Sequence, residues 1–278
     1  MIGIETRDSK EKDATVSVNG AQLHHEVRGG GPSVLFIQGA TGDGGTFDRV
    51  AELLGDEFTV VTYDRRGNSR SPRPAGWNET SMDEQADDAA GLIRALGLAP
   101  TAVFGTSGGA VILLNLLLRH PEVLRGAIIH EPPMVPVVSN AEEIGAMLQS
   151  MTEEGLKKAG PRGTMEMFIR QNAGDTNFEN LDTELRERML DNAEVFFFTE
   201  LGGFVSYVPD AGALAESKVP VQVVGGSEDR GVYYYEAAEW VAKQLGTKLQ
   251  EIPGGHAPYF DRPEAMAEAI RPFLRRVS

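Results

Sequence analysis

Along most of this 278-residue chain, short apolar runs alternate with helix-length amphipathic stretches, and the alternation breaks once, between Pro132 and about Ser217. Strands that alternate with helices predict a mostly parallel sheet covered by helices on its faces. Eight strand-like segments are present. "ATVSVNG" and "AQLHHEVRG" meet at Asn19-Gly20, a hairpin turn signal. "SVLFIQG", "FTVVTYD", "TAVFGT", "GAIIHE", "VPVQVVGG" and "KLQEIPG" follow in order. Helices are expected near 47–54, 82–96, 107–119, 234–245 and 263–275. "DRRGNSRSPRPAG" reads as a loop, because two prolines and two glycines forbid a regular element there. Inside the break only helical patterns occur, such as "AEEIGAMLQSMTEEGL" and "LDTELRERMLDNAEVFFF". A chain of this length is long for one simple domain and short for two. One core built from residues 1–132 and 216–278, with a helical insertion at 133–215, satisfies both observations.

Charge narrows the range of partners. Lys and Arg number 26 against 41 Asp and Glu, a net charge of -15 that repels phosphate backbones and anionic lipid. Neither nucleic acid nor a membrane is expected as a partner. The first twenty residues hold no apolar signal segment, and runs such as "AVILLNLLL" are too short to span a bilayer. A cytoplasmic location is therefore expected. The absence of cysteine excludes disulfides and thiolate metal sites, and oligomeric state leaves no mark in the sequence.

The stretch "VFGTSGGAV" carries the chemistry. Gly105-Thr106-Ser107-Gly108-Gly109 fits G-x-S-x-G with a strand before it and a helix after it. So sharp a turn needs small residues two before and two after the serine, and it lifts Oγ above the sheet at a helix N-terminus. The phosphate-cradling alternatives lack their marks: no lysine precedes the serine, and there is no G-x-G-x-x-G. A tight corner with no chemistry also fits the pentapeptide taken alone. Gly67-Asn68-Ser69-Arg70-Ser71 is a similar match, but Pro72 and Pro74 prevent a helix from following it.

A serine nucleophile needs a base, in the chain order serine, acid, histidine for this kind of turn. Of five histidines, His24 and His25 lie in the opening hairpin, His120 ends the helix that Ser107 starts, and His130 precedes Glu131. Only His256, in the loop "IPGGHAPYF" after the last strand, comes late enough. A histidine with an unperturbed pKa near ~6.5 suits a base at neutral pH.

Together these segments resemble the α/β-hydrolase family over nearly the whole chain. "IQGATGDGGTF" is similar to its oxyanion loop, "YDRRGNSRS" to the loop after the fourth strand, "GTSGG" to its nucleophile elbow, and "PGGHAPYFDRPEAMAEAI" to its histidine loop and final helix. The resemblance implies an eight-stranded α/β-hydrolase fold with residues 133–215 as a helical cap. It also implies oxyanion donors at the backbone N–H groups of Gly108 and Ala40. Relatives usually carry His-Gly where this chain has Gln38-Gly39.

Two carboxylates compete for the role of triad acid. Many relatives place it in a Gly-x-x-Asp turn, which Gly226-Ser227-Glu228-Asp229 fits, 27 residues before His256. A minority, including lactone-cleaving enzymes of the zearalenone type, place it at the end of the preceding strand. Glu131 in "IIHEPPM" stands there, 24 residues after Ser107. A carboxylate at an apolar strand end, pinned by Pro132-Pro133, is less freely solvated than one within "SEDR", which favours Glu131 over Asp229.

The expected activity is that of a serine hydrolase acting on carboxylic esters or lactones with an apolar or aromatic body, with no metal or organic cofactor. Carbon–carbon bond hydrolysis or cofactor-free perhydrolysis on the same triad is the alternative, and a non-catalytic ligand-binding protein of the same fold is the second. Gln38, Phe196, Phe197, Phe198, Phe204 and Tyr207 are the expected pocket residues. Met147, Met151, Met165 and Met167 stand beside them, although Met and Phe at helical spacing most often form cap core.

Overall fold

The computed structural model describes residues 12–278, so most of the N-terminal stretch read above for a signal segment lies outside the described residues. Strands β1 (Lys12–Val18) and β2 (Ala21–Gly29) form the expected hairpin, with Asn19 and Gly20 both at positive φ. β3 (Ser33–Ile37), helix α1 (Asp48–Leu54), β4 (Thr59–Tyr63), α2 (Met82–Ala95), β5 (Thr101–Thr106), α3 (Gly108–Arg119) and β6 (Leu124–His130) follow. The sheet order is β1-β2-β4-β3-β5-β6, continued by β7 (Val221–Gly226) and β8 (Leu249–Ile252). Pairing is antiparallel on both sides of β2 and parallel from β4 through β8. This is the eight-stranded, mostly parallel architecture that the alternation predicts.

Side-chain alternation along the strands builds the two core layers. Leu35, Val103, Ile129 and Val223 pack with Ala89 of α2 and Leu113 of α3 on one face. Phe36, Phe104, Ile128 and Val224 face the other way, toward Val50 and Leu54 of α1. Burial of both faces explains why these strands read as continuous apolar runs.

Between β6 and β7 the chain is helical, without a strand. α4 (Ala141–Ala173) breaks at Gly160, where φ is 67° and ψ 178°, and restarts at Pro161. Glycine alone tolerates that conformation easily, and proline suits the first turn of the renewed helix because it has no N–H to lose. α5 (Asp175–Asn180), α6 (Thr183–Asp191), α7 (Ala193–Val195), a π-turn at Phe196–Glu200, α8 (Leu201–Ser206) and α9 (Ala211–Glu216) complete the block. After it come α10 (Tyr233–Gln244), α11 (Pro258–Asp261) and α12 (Pro263–Arg276). Ala238 and Val241 of α10 join the layer of α2 and α3, and Met266 and Ile270 of α12 join that of α1. Among the described residues, no helix is long and apolar enough to cross a membrane.

Polar contacts lock the helical block to the sheet side. Arg65 and Glu200 form a wholly buried ion pair, and Gln85 Nε2 donates to the same carboxylate at 3.0 Å. Asn192 Nδ2 donates to the carbonyl of Thr41 at 2.6 Å while its Oδ1 accepts from the N–H of Ser69. Arg188 Nε donates to Asp43 at 2.7 Å.

Candidate active site

Ser107 joins β5 to α3 with φ 53° and ψ -126°, a left-handed φ that L-residues adopt at a cost. Its neighbours permit the turn: a Cβ at Gly105 would lie 2.5 Å from the carbonyl of Gly109, and one at Gly109 would lie 2.1 Å from that of Ile37. The N–H of Ser107 donates to the carbonyl of His130 at 2.9 Å, tying the turn to the end of β6.

Glu131 follows β6 directly and takes a positive φ of 46°. Its side chain is fully buried and both oxygens are engaged. Oε1 accepts from the N–H of Gly226 at 2.6 Å, and Oε2 lies 2.7 Å from Nδ1 of His256. Burial works against its ionisation, but the two imidazoles of His130 and His256 outweigh this and hold the carboxyl well below the usual range.

Asp229 sits beside this pair and not on the imidazole. The ligand oxygens and nitrogen of Glu131, Asp229 and His256 fall within 4.8 Å of one another. The Tyr234 hydroxyl donates to Asp229 Oδ1 at 3.4 Å, and Oδ2 is buried without a hydrogen-bond partner among the described residues. Burial, reinforced by the charge of Glu131, pushes the Asp229 carboxyl up to about 7. The same three residues are the one grouping of metal-ligating side chains found among the described residues. The 2.7 Å spacing of Nδ1 and Oε2 is a hydrogen-bond distance, which commits that nitrogen to a proton.

The loop after β3 crosses the turn closely: a Cβ at Gly39 would lie 2.8 Å from that of Ser107. Gln38 braces it from within, its Oε1 accepting from the N–H of Gly39 and its Nε2 donating to Thr41 Oγ1, each at 2.7 Å. Arg65 braces it from outside, donating to the carbonyl of Gly39 at 2.8 Å. Gln38 thus ties this loop together through its own amide.

Ser107 and His256 line one cavity of about 30 Å³, together with Gln38, Ala40 and Thr41. Its roof is the second rod of α4, through Phe168, Ile169, Asn172 and Ala173, and its wall is Ala257, Tyr259 and Phe260. None of the expected aromatic residues lines it, for identifiable reasons. Phe196 stands behind Phe168 with ring centroids 5.3 Å apart, and Phe197 packs on Phe196. Phe198 points outward and is 63% exposed. Phe204 lies against Gly108, where a Cβ would come within 2.9 Å of its ring, and Tyr207 donates its hydroxyl to Asn115. Phe196, Phe197 and Phe198 are consecutive, and successive side chains of a helix point about 100° apart, so the run is divided between core and solvent. The signal for the roof was available: Met165, Phe168-Ile169 and Asn172-Ala173 recur at helical spacing.

The sequence pattern of the alpha/beta hydrolase fold matches residues 32–263, and the chain belongs to that family. It is 34% identical over 268 residues to the uncharacterized hydrolase YraK of Bacillus subtilis, covering 95% of this chain and 96% of the relative. It is 25% identical over 270 residues to a zearalenone hydrolase of Cladophialophora bantiana, covering 93% and 95%. Among solved structures, a thermophilic esterase from Thermogutta terrifontis superposes with a TM-score of 0.76 at 25% identity, over 96% of this chain and 99% of the other.

Proposed function

We propose that the protein is a serine hydrolase cleaving carboxylic esters or lactones with an apolar body. The observation that carries this reading is the shared cavity: Ser107, in a strained turn at the start of α3, and His256, held at Nδ1 by a buried carboxylate, line the same small space. A relative named for zearalenone hydrolysis and a structural neighbour named as an esterase support the substrate class.

In this mechanism Ser107 Oγ attacks the carbonyl carbon while His256 Nε2 takes its proton. The N–H groups of Gly108 and Ala40 hold the oxyanion, and the imidazolium returns its proton to the departing alcohol oxygen. Water then attacks the acyl-enzyme by the same route. Glu131 is the acid of the triad, orienting the imidazole and balancing its charge when protonated. No metal or organic cofactor enters the mechanism. The helical block at 133–215 is the cap, and its α4 roof sets what fits over Ser107.

A fluorophosphonate probe tests the nucleophile: wild type should be labelled and Ser107→Ala should not. Equal labelling of the two would sink the reading. A panel of p-nitrophenyl acetate, butyrate and octanoate, run beside an aryl lactone, then ranks the substrates.

A further inference from the structure

His130, the last residue of β6, touches both halves of the site. Its carbonyl accepts from the N–H of Ser107, and its fully buried ring places Nδ1 2.8 Å from Thr106 Oγ1. Adjacent side chains on a strand point to opposite faces. The positive φ of Glu131 ends that alternation, and Oε2 of its carboxylate comes to lie 3.6 Å from His130 Nε2. This is the same oxygen that meets His256 Nδ1. His130 Nε2 is buried and has no hydrogen-bond partner among the described residues.

At that range a lone pair facing the carboxylate repels it, whereas an N–H attracts it. The proton therefore sits on Nε2, and Nδ1 accepts from the Thr106 hydroxyl. Burial pushes the His130 imidazole down to about 4, so it stays neutral and is no rival base. Its orientation is fixed by ring packing, with Phe104 at 6.2 Å on one side and His256 at 5.9 Å on the other. At 3.6 Å the contact is too long for a hydrogen bond and acts as a fixed dipole.

Resting on the serine-hydrolase reading, we propose that His130 is a positioning residue for the Glu131–His256 pair, its Nε2–H holding Oε2 in line and drawing off part of the carboxylate's charge. Without that dipole the charge concentrates toward His256, which then holds its proton more tightly.

The test compares His130→Phe, His130→Gln and Thr106→Val with wild type, using p-nitrophenyl acetate kinetics across pH and fluorophosphonate labelling. His130→Phe keeps the ring packing, and its kcat should fall roughly tenfold with little change in KM. Asp229 and Tyr234 also face His256 and are the same in every variant compared, so the acid limb of the kcat/KM profile of His130→Phe should move to higher pH relative to wild type. His130→Gln, which restores an N–H donor, should recover most of both, and Thr106→Val should move the limb the same way by less. A wild-type profile in His130→Phe overturns the proposal, as does equal slowing in the Phe and Gln variants with an unmoved limb. If His130→Phe fails to fold, Thr106→Val decides by the same limb. An unlabelled wild type removes the nucleophile itself, and with it the proposal; a labelled wild type beside an unaltered His130→Phe removes the proposal alone.

Discussion

Nδ1 of His256 lies 2.7 Å from Oε2 of Glu131, across 125 residues of chain, while Asp229 lies beside that carboxylate with one oxygen buried and unpartnered among the described residues. Two acids that competed for one role thus occupy different positions around one imidazole. The carboxyl on Nδ1 is held below the usual carboxylate range and doubly engaged; the other has its pKa raised toward neutrality.

Glu131→Gln should therefore lower kcat/KM on p-nitrophenyl acetate by roughly four orders of magnitude, the scale on which loss of a triad acid acts. Asp229→Asn should stay within roughly tenfold of wild type. The opposite ranking would transfer the acid to Asp229.

Stability should also depend on Asp229. Its carboxyl rises from an ordinary 3.8 to about 7 in the folded protein. Between those values the native state retains a proton that the unfolded chain has lost, so stability falls as pH rises. This contribution is complete below the lower value and is lost as pH passes the upper one. Thermal melts of Asp229→Asn from pH 5 to 8 should show a flatter dependence of Tm on pH than wild type; parallel curves would contradict this.

Glu200 balances Arg65 where both are fully buried. Replacing it with alanine leaves the guanidinium uncompensated and should cost about 3–5 kcal/mol in urea unfolding, as removal of one partner of a buried pair does. Because Arg65 also holds the carbonyl of Gly39, activity should fall even at temperatures where the variant stays folded. A variant as stable as wild type would mean that the pair is dispensable.

Phe168 roofs the cavity that Ser107 and His256 line. Phe168→Ala should therefore raise the octanoate-to-acetate ratio of kcat/KM by roughly tenfold, the low end of what one methylene is worth in an apolar pocket. An unchanged ratio would place the acyl chain elsewhere.

The strand order along the chain, the Asn19-Gly20 hairpin, the sharp turn at Ser107 and the helical block between β6 and β7 were all legible in the sequence. Each rests on local rules: apolar runs that mark strands buried on both faces, residues that accept a positive φ, and prolines that stop an element. The placement of the aromatic run at Phe196–Phe198 was not legible, because successive helical side chains face different ways and the packing of the helix decides which of them meets the core. Nor was the brace that Gln38 supplies within its loop, since it needs Thr41 folded back onto it.

Sequence by itself therefore determined the layers of this protein and the residue types from which its site is built. Tertiary structure decided which of those residues meet. Only the packing of β6 against β7 brings Gly226 N–H and His256 onto Glu131, and only the left-handed turn at Glu131 aims its carboxylate at them. Contacts between residues 95 and 125 positions apart depend on how the sheet closes, and local sequence carries no record of that geometry.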